Sequence, residues 1–226
     1  MTTDTLPASS PNQRWLAAAT VASAAFTILA GTLHLPWLAY VFKPLTTLLV
    51  IVYAWPRGAD TPQVRRWVRA GLVLSLVGDV ALLWPQQGFL PGLVSFLLAH
   101  LAYIVAFTRD TRFAARPLPF VAYALVAAAI LSMLWRGVPA DLRIPVLAYV
   151  VCLASMAAQA AARWRAHLDD ADAGRLRTAA LGGVLFMASD ALLATDRFHG
   201  GLPAAPLLIL STYWLAQWCI VSSLRR

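Results

Sequence analysis

Residues 89–107 read FLPGLVSFLLAHLAYIVAF, a run that contains no aspartate, glutamate, lysine or arginine. A helix needs roughly 20 mostly apolar residues to cross the hydrocarbon core of a bilayer, and its backbone must satisfy its own hydrogen bonds because no water is available there. This stretch meets both conditions. It predicts a membrane-spanning helix and makes the chain an integral membrane protein.

Stretches of the same kind fill nearly the whole chain of 226 residues, of which 60% are hydrophobic and only 12% are charged, the balance of a membrane protein. The connections between them are too short for a soluble domain. The sequence therefore predicts an all-α polytopic bundle of about eight transmembrane helices, with any activity inside the bundle or at its faces. The predicted spans are Trp15–Leu33, Leu38–Trp55, Trp67–Trp84, Phe89–Phe107, Pro117–Trp135, Ile144–Ala162, Thr178–Thr195 and Pro203–Ser223.

The first thirteen residues differ in composition from everything that follows. They are rich in Thr, Ser and Pro and lack apolar periodicity, so residues 1–13 are predicted to be a disordered cytoplasmic tail. Residues 14–226 are predicted to form a single transmembrane domain. The apolar run after Arg14 is long for a signal peptide, and we interpret it as a retained first span.

The basic residues follow alternate connections between the predicted spans. The net charge is +8, but this distribution explains it as a topology signal, and no nucleic-acid partner is expected. By the positive-inside rule, both termini are predicted to be cytoplasmic in a bacterial-type inner (plasma) membrane. Fourteen arginines fall on the predicted cytoplasmic side and three on the other: Arg14, Arg57, Arg65, Arg66, Arg69, Arg109, Arg112, Arg116, Arg163, Arg165, Arg175, Arg177, Arg225 and Arg226 against Arg136, Arg143 and Arg197.

A weak internal repeat links two of the predicted spans. The segment GLVLSLVGD, ending at Asp79, resembles GGVLFMASD, ending at Asp190. The repeat pairs the third span with the seventh, and four spans separate them, so it would be a parallel repeat. It predicts that the two aspartates lie at a similar depth.

Few polar residues lie inside the predicted spans, and they concentrate near one end. A central charge costs roughly 2.5–3.5 kcal/mol on insertion scales, so such residues usually face a cavity and a partner. The distribution predicts a polar pocket in the extracytoplasmic half, although a purely structural pairing of Lys43 with one aspartate is the simpler alternative. The residues are Asp79, Asp190, Lys43, His100, Tyr103, Tyr213 and Gln217, and the pairs His100 with Tyr103 and Tyr213 with Gln217 are spaced to share a helix face.

Five segments that carry these residues resemble the YhhN-like lysoplasmalogenases: Lys43-Pro44, GDVALLWP at 78–85, FLLAHLAY at 96–103, SDALLA at 189–194 and YWLAQ at 213–217. The resemblance implies an eight-span hydrolase that takes a lysophospholipid from within the membrane. It would cleave the vinyl ether bond of lysoplasmalogens to a fatty aldehyde and glycerophosphoethanolamine or glycerophosphocholine, without a cofactor or metal. It also implies that Asp79 and Asp190 are catalytic, supported by Lys43, His100, Tyr103, Ser189, Tyr213 and Gln217.

Two carboxyl groups suit this chemistry. Vinyl ether hydrolysis begins with proton transfer to carbon, which generates an oxocarbenium ion that water captures. In an apolar pocket, mutual repulsion keeps one carboxyl protonated as the acid, while the other stays ionised and stabilises the cation. A coupled pair titrates as a unit, so the sequence leaves the two roles open. Asp190 is favoured as the acid if Lys43 pairs with Asp79.

Two other functions fit parts of the same pattern. A metal-dependent membrane hydrolase would gather His34, His100, Asp79 and Asp190 around zinc, but no His-x-x-x-His spacing occurs. A proton-coupled transporter would also carry intramembrane acids, yet the polar residues leave the inner half of the bundle unlined. A serine acyl-enzyme is not expected because the chain has no Gly-x-Ser-x-Gly motif.

Overall fold

The computed structural model describes residues 11–33 and 35–225, with the side chains at 11–13 and 32 outside the description. The described residues form eight α-helices, with two short 3₁₀ turns at Trp135–Gly137 and Ala140–Leu142 and no strand, so the all-α prediction is confirmed. Residues 1–10 of the predicted tail lie outside the described part, and the first helix begins at Pro11. The helices are α1 Pro11–Thr32, α2 Pro36–Ala54, α3 Pro62–Ala81, α4 Phe89–Phe107, α5 Pro117–Leu134, α6 Arg143–Ala166, α7 Ala173–Phe198 and α8 Ala205–Ser222.

Seven of the eight helices are long and apolar enough to cross a membrane, so the protein is a multi-pass membrane protein. The exception is α3, which carries three arginines in its first half and Asp79 in its last turn. This helix is also displaced from its predicted bounds, since it begins at Pro62 and ends at Ala81 instead of spanning Trp67–Trp84. Proline at the first helical position is favourable because its missing N–H needs no partner there, which explains the earlier start.

Six helices form a ring, and the other two lie outside it. Going round the ring, α2, α3, α4, α6, α7 and α8 each contact the next, while α1 packs on α2 and α8, and α5 packs on α6 and α7. The most extensive contacts are α3 with α4 and α7 with α8. The two halves of the chain therefore pack in the same order, in agreement with the predicted parallel repeat.

Glycines at equivalent positions of the repeat lie at the two most extensive helix contacts. A Cβ added to Gly71 on α3 would lie 2.3 Å from Cε1 of Tyr103 on α4, and a Cβ added to Gly182 on α7 would lie 2.9 Å from the carbonyl oxygen of Ala216 on α8. Small residues let membrane helices approach each other closely. The repeated glycine thus serves helix packing in both halves of the bundle.

The polar residues are inside the bundle and the apolar ones cover its outer surface. Val77, Leu98 and Leu125 are exposed, whereas His100 and Gln217 are fully buried. An apolar exterior suits lipid, and the buried polar groups must then find partners within the protein. The functional residues are therefore to be found between the helices.

The arginine-rich connections meet at one end of the bundle. Asp60, Asp110, Asp172 and Arg225 line one cavity of about 360 Å³, although they come from different connections and the C-terminal end. Arg225 bridges two of them, with Nε 3.2 Å from Asp60 and a second contact to Asp172. We call this end the arginine-rich face, and its cytoplasmic assignment remains a prediction from the charge bias.

Asp110, in the connection between α4 and α5, is tied to α6 at this face. The guanidinium of Arg163 donates to both carboxylate oxygens, with Nε 2.8 and 3.0 Å away. Partial burial opposes ionisation, but the hydrogen bonds and charge of Arg163 hold the pKa of the Asp110 carboxyl below its ordinary value. The pair therefore stabilises the fold at neutral pH.

Replacing Asp110 with Asn is expected to lower thermal stability in detergent at pH 7 by a small amount, less than about 1 kcal/mol because the side chain is 42% exposed. A lowered carboxyl pKa contributes stability above the unfolded-state pKa and loses it as the pH falls through the folded-state value. The difference in Tm between wild type and variant should thus shrink on acidification below pH about 4. A difference that stayed constant down to that range would contradict the ion-pair explanation.

Candidate functional site

A cavity of about 390 Å³ opens at the end of the bundle opposite the arginine-rich face. The ends of α1, α3 and α7 and the starts of α2, α4 and α8 form it. It contains the charged residues of the predicted pocket together with two more from the end of α7, and we call it the polar cavity. Its polar lining residues are Thr27, Lys43, Asp79, Ser189, Asp190, Asp196, Arg197 and Tyr213.

Asp79 is held by three donors from two helices. Its Oδ2 accepts hydrogen bonds from the Thr47 hydroxyl at 2.6 Å and from the Tyr213 hydroxyl at 2.7 Å. Lys43 Nζ lies 3.6 Å from Oδ1 and also donates to the Asp79 backbone carbonyl at 3.3 Å. The donors and the cation favour the charged form of this carboxyl group, whereas its burial opposes that form.

A second layer of side chains positions these donors. The indole Nε1 of Trp214 donates to Thr47 Oγ1 at 3.1 Å, and Gln217 Nε2 donates to the Tyr213 hydroxyl at 3.4 Å. Gln217 Oε1 in turn accepts a hydrogen bond from Tyr103 at 2.6 Å. This network spans α2, α4 and α8 and fixes the geometry around Asp79.

Asp190 has a different environment, because its neighbours are an aromatic hydroxyl and an imidazole. The hydroxyl of Tyr149 on α6 donates to Asp190 Oδ2. His100 Nε2 lies 3.1 Å from the same hydroxyl and 3.7 Å from Asp190 Oδ2. Both neighbours can donate and accept protons, and no lysine or arginine of the described chain forms an ion pair with Asp190.

The two aspartates have equivalent positions in the two halves of the bundle. Asp79 on α3 is met by α2 and by α8, the last helix of the other half, while Asp190 on α7 is met by α6 and by α4. The repeat therefore builds two carboxylate sites with the same architecture. Only one of them contains a lysine.

Access to the cavity also differs between the two carboxyl groups. The Asp190 side chain is 13% exposed, whereas that of Asp79 is 2% exposed. Within the described residues, Oδ1 of Asp190 takes part in no hydrogen bond and is not among the fully buried polar atoms without a partner. This oxygen is therefore free of protein partners among the described residues.

Asp190 also lines a second, smaller cavity of about 90 Å³ between α4, α5, α6 and α7, which we call the apolar chamber. Of its lining residues only Asp190 and Tyr149 carry polar side chains. Leu82, Phe89, Phe96, Leu193 and Asp190 line both the chamber and the polar cavity. Asp190 thus stands where a polar space meets an apolar one.

The structure distributes the residues expected from the sequence over two layers. Lys43, Asp79, Ser189, Asp190 and Tyr213 line the polar cavity, and Ser189 also donates to the Ile209 carbonyl at 3.0 Å, which ties α7 to α8. The remaining three, His100, Tyr103 and Gln217, lie behind the cavity wall. His100 and Tyr103 share a face of α4 but contact different carboxylate networks.

Three residues, Tyr149, Thr47 and Arg197, were not expected from the sequence to belong to this site. Tyr149 and Thr47 are polar residues within predicted spans, and that placement was the available signal. Arg197 was counted only as a topology charge, but it lines the polar cavity and its guanidinium lies 4.9 Å from the ring centroid of Phe89. No group of three or more His, Cys, Asp or Glu side chains suited to a metal occurs within the described ranges, and His34 falls outside them.

Comparison with known proteins places this geometry in context. Residues 38–224 match the YhhN family. The human protein named lysoplasmalogenase TMEM86B is 33% identical over 196 residues, covering 85% of this chain and 78% of that protein, and its mouse counterpart is 32% identical over 95% and 88%. A Mycobacterium tuberculosis protein named lysoplasmalogenase is 35% identical over 70% of this chain and 60% of its own length. No solved structure matches the chain.

Proposed function

This chain belongs to the YhhN family, and on that premise we propose that it is a lysoplasmalogenase. The reaction adds water across the vinyl ether of a lysoplasmalogen and releases a fatty aldehyde and a glycerophospho head group, such as glycerophosphoethanolamine or glycerophosphocholine. Relatives that are about a third identical to this chain over the aligned residues carry this name.

One observation supports the proposal most directly: two aspartates with different surroundings line the same cavity inside a membrane protein. Hydrolysis of a vinyl ether needs a proton donor at carbon and an anion near the cation that forms. Enzymes obtain both from carboxyl groups whose environments differ. The lysine beside Asp79 and the aromatic hydroxyl beside Asp190 provide that difference.

We assign the proton donor to Asp190. Asp190 lines the cavity, its Oδ1 accepts no hydrogen bond from the described residues, and no lysine or arginine among them pairs with it to hold it as a carboxylate. In the first step the carboxyl proton moves to the β-carbon of the vinyl ether, and the double-bond electrons form the new C–H bond. The α-carbon and ether oxygen then share the positive charge as an oxocarbenium ion.

Asp79 has the complementary role. Lys43, Thr47 and Tyr213 hold it as a fixed carboxylate at the wall of the cavity. A preorganised negative charge in a site of low polarity stabilises a developing cation more strongly than bulk water does. Asp79 thus lowers the energy of the oxocarbenium ion without being consumed.

Water completes the reaction. It adds to the α-carbon and loses a proton to the Asp190 carboxylate, which restores the acid. The resulting hemiacetal collapses to the aldehyde and the glycerol hydroxyl, so one water is consumed and no redox partner is needed. Tyr149 and His100 form a connected pair behind the Asp190 carboxyl group and hold it in place.

The mouth of the polar cavity suits a phosphate-bearing head group. Arg197 lines the cavity and, in the described part of the chain, forms no ion pair with an acidic side chain. A guanidinium presents paired donors that match phosphate oxygens. With both termini cytoplasmic, as the charge bias predicts, this mouth faces the outer leaflet of the plasma membrane.

The test of function uses purified protein in detergent with a lysoplasmalogen, its saturated alkyl ether analogue and an ester lysolipid. We expect aldehyde from the vinyl ether only, because the alkyl ether has no double bond to protonate. In D₂O, turnover should slow. The aldehyde should carry one solvent deuterium on the carbon next to its carbonyl group, which is the protonated β-carbon of the vinyl ether, and mass spectrometry measures this deuterium.

Three results would contradict the proposal. An aldehyde without solvent deuterium, after correction for exchange, would exclude protonation at carbon. Fatty acid released from the ester lysolipid would indicate another hydrolase. A requirement for a sealed membrane, with no product in detergent, would favour a transporter.

A further inference from the structure

We propose that the apolar chamber between α4, α5, α6 and α7 is the binding site for the alkenyl chain of the substrate and determines which chain lengths are accepted. This inference rests on the proposed lysoplasmalogenase function and adds a specificity site to it. The sequence offered no signal for the chamber, because its lining residues are the ordinary apolar residues of four different spans.

The composition and position of the chamber select its occupant. Except for Asp190 and Tyr149, its walls present only hydrocarbon and aromatic side chains, contributed by α4, α5, α6, α7 and Leu82. Such a wall cannot satisfy a phosphate or a glycerol hydroxyl, whereas it matches an alkyl chain. The polar cavity on the other side of Asp190 has the opposite character, with Lys43 and Arg197.

A lysoplasmalogen has the same division along its length. Its vinyl ether lies between the glycerophosphate and the hydrocarbon chain, just as Asp190 lies between the polar cavity and the apolar chamber. With the head group in the first space and the chain in the second, the bond to be protonated is placed at the accessible Oδ1. The juxtaposition of the two spaces therefore explains why Asp190 is the donor.

The chamber also adjoins the lipid-facing surface. A surface groove of about 420 Å³ between α5 and α7 includes Tyr123, Val126 and Val184, and Ile130, Met187 and Ala191 line both this groove and the chamber. Because α5 lies outside the ring of six helices, the groove faces the membrane. A hydrocarbon chain can pass from the bilayer into the chamber at this place without crossing water.

The part of the chamber nearer the arginine-rich face is lined by residues of α5 and α6. Because α5 runs from Pro117 near the arginine-rich face, Ala127 lies deeper in the chamber than Leu134. Leu153 on α6 lies at the corresponding depth. Ala127 is 7% exposed and has only a methyl side chain, so a larger side chain there would occupy chamber space.

The experiment compares Ala127→Phe with Ala128→Phe, a matched control at the next residue of α5, whose side chain is exposed and lines neither cavity. Lysoplasmalogens with decenyl, tetradecenyl and octadecenyl chains are offered to each purified protein. For Ala127→Phe, we expect kcat/KM for the octadecenyl substrate to fall about tenfold or more relative to the control, and that for the decenyl substrate to stay within about twofold.

A second variant, which makes a lining side chain smaller instead of larger, keeps the test decisive if Ala127→Phe fails to fold. Leu131→Ala enlarges the chamber on its α5 side. We therefore expect the chain length that gives the highest kcat/KM to increase. Thermal unfolding checks that each variant is folded. Equal chain-length profiles for Ala127→Phe and Ala128→Phe, or an unshifted optimum in folded Leu131→Ala, would overturn the chamber assignment. Wild type that releases no aldehyde from any chain length would instead refute the proposed function.

Discussion

Replacing Asp190 with Asn is expected to lower kcat for lysoplasmalogen hydrolysis by about 10²–10⁴-fold, the usual loss when a general acid is removed. The amide keeps the shape of the carboxyl group and can still accept the hydrogen bond from Tyr149. It cannot deliver a proton to carbon, so the loss falls on the chemical step. KM should change little, because the head group and chain are bound on either side of this residue.

The measurement is aldehyde release under single-turnover conditions with folded, detergent-solubilised protein. Asp141→Asn provides the control, since Asp141 is an exposed aspartate in the connection before α6 and lines neither cavity. Turnover by folded Asp190→Asn within about tenfold of wild type would remove Asp190 from the role of acid.

Replacing Asp79 with Asn is expected to reduce kcat by at least about 10²-fold and also to destabilise the protein. The catalytic loss follows from removing the charge that stabilises the oxocarbenium ion. The loss of stability follows because Lys43 is left inside the bundle without its counter-charge, and breaking a buried ion pair in this way costs about 3–5 kcal/mol.

The double variant Asp79→Asn with Lys43→Met separates these two effects. Removing both charges should restore most of the Tm, because no unpaired cation remains, but turnover should stay low. If the double variant regained near wild-type turnover together with its stability, Asp79 would be only the structural partner of Lys43. That result would support the simpler alternative, in which Lys43 and Asp79 form a purely structural ion pair.

The alternative of metal-dependent hydrolysis can be tested directly. His100 and Asp190 are close, but Asp79 belongs to a network with Lys43 and Tyr213, and no cluster of three metal-binding side chains occurs among the residues that the structure describes. A lysine beside a carboxylate competes with a cation for that site. Chelator treatment of the purified protein is expected to leave aldehyde release unchanged.

The sequence by itself determined the class of fold and indicated most of the polar residues that line the polar cavity. Apolar runs of about twenty residues specify membrane helices because the bilayer offers no partner to an open backbone. Asp79, Asp190 and Lys43 stood out because charges within such runs are costly. The YhhN resemblance rested on segments around the same residues, and the family match over residues 38–224 confirms it.

The bounds of the spans were less well determined. The end of α3 depends on how the turns after Ala81 pack and not on hydropathy, so the predicted third span continued to Trp84 whereas the helix does not. Hydropathy averages over a window and cannot detect where backbone hydrogen bonding changes. As a result Asp79 lies in the last turn of its helix, closer to the helix end than predicted.

Only the tertiary structure decided which residues share each carboxylate. Lys43 and Tyr213 are far apart in the chain yet both contact Asp79, while His100 and Tyr103, three residues apart on α4, serve different networks. The physical reason is that periodicity specifies the face of a helix, but the order of helices around the ring specifies what that face meets. The same ring places Asp190 between the polar cavity and the apolar chamber, a boundary formed by side chains from several helices and therefore absent from any single stretch of sequence.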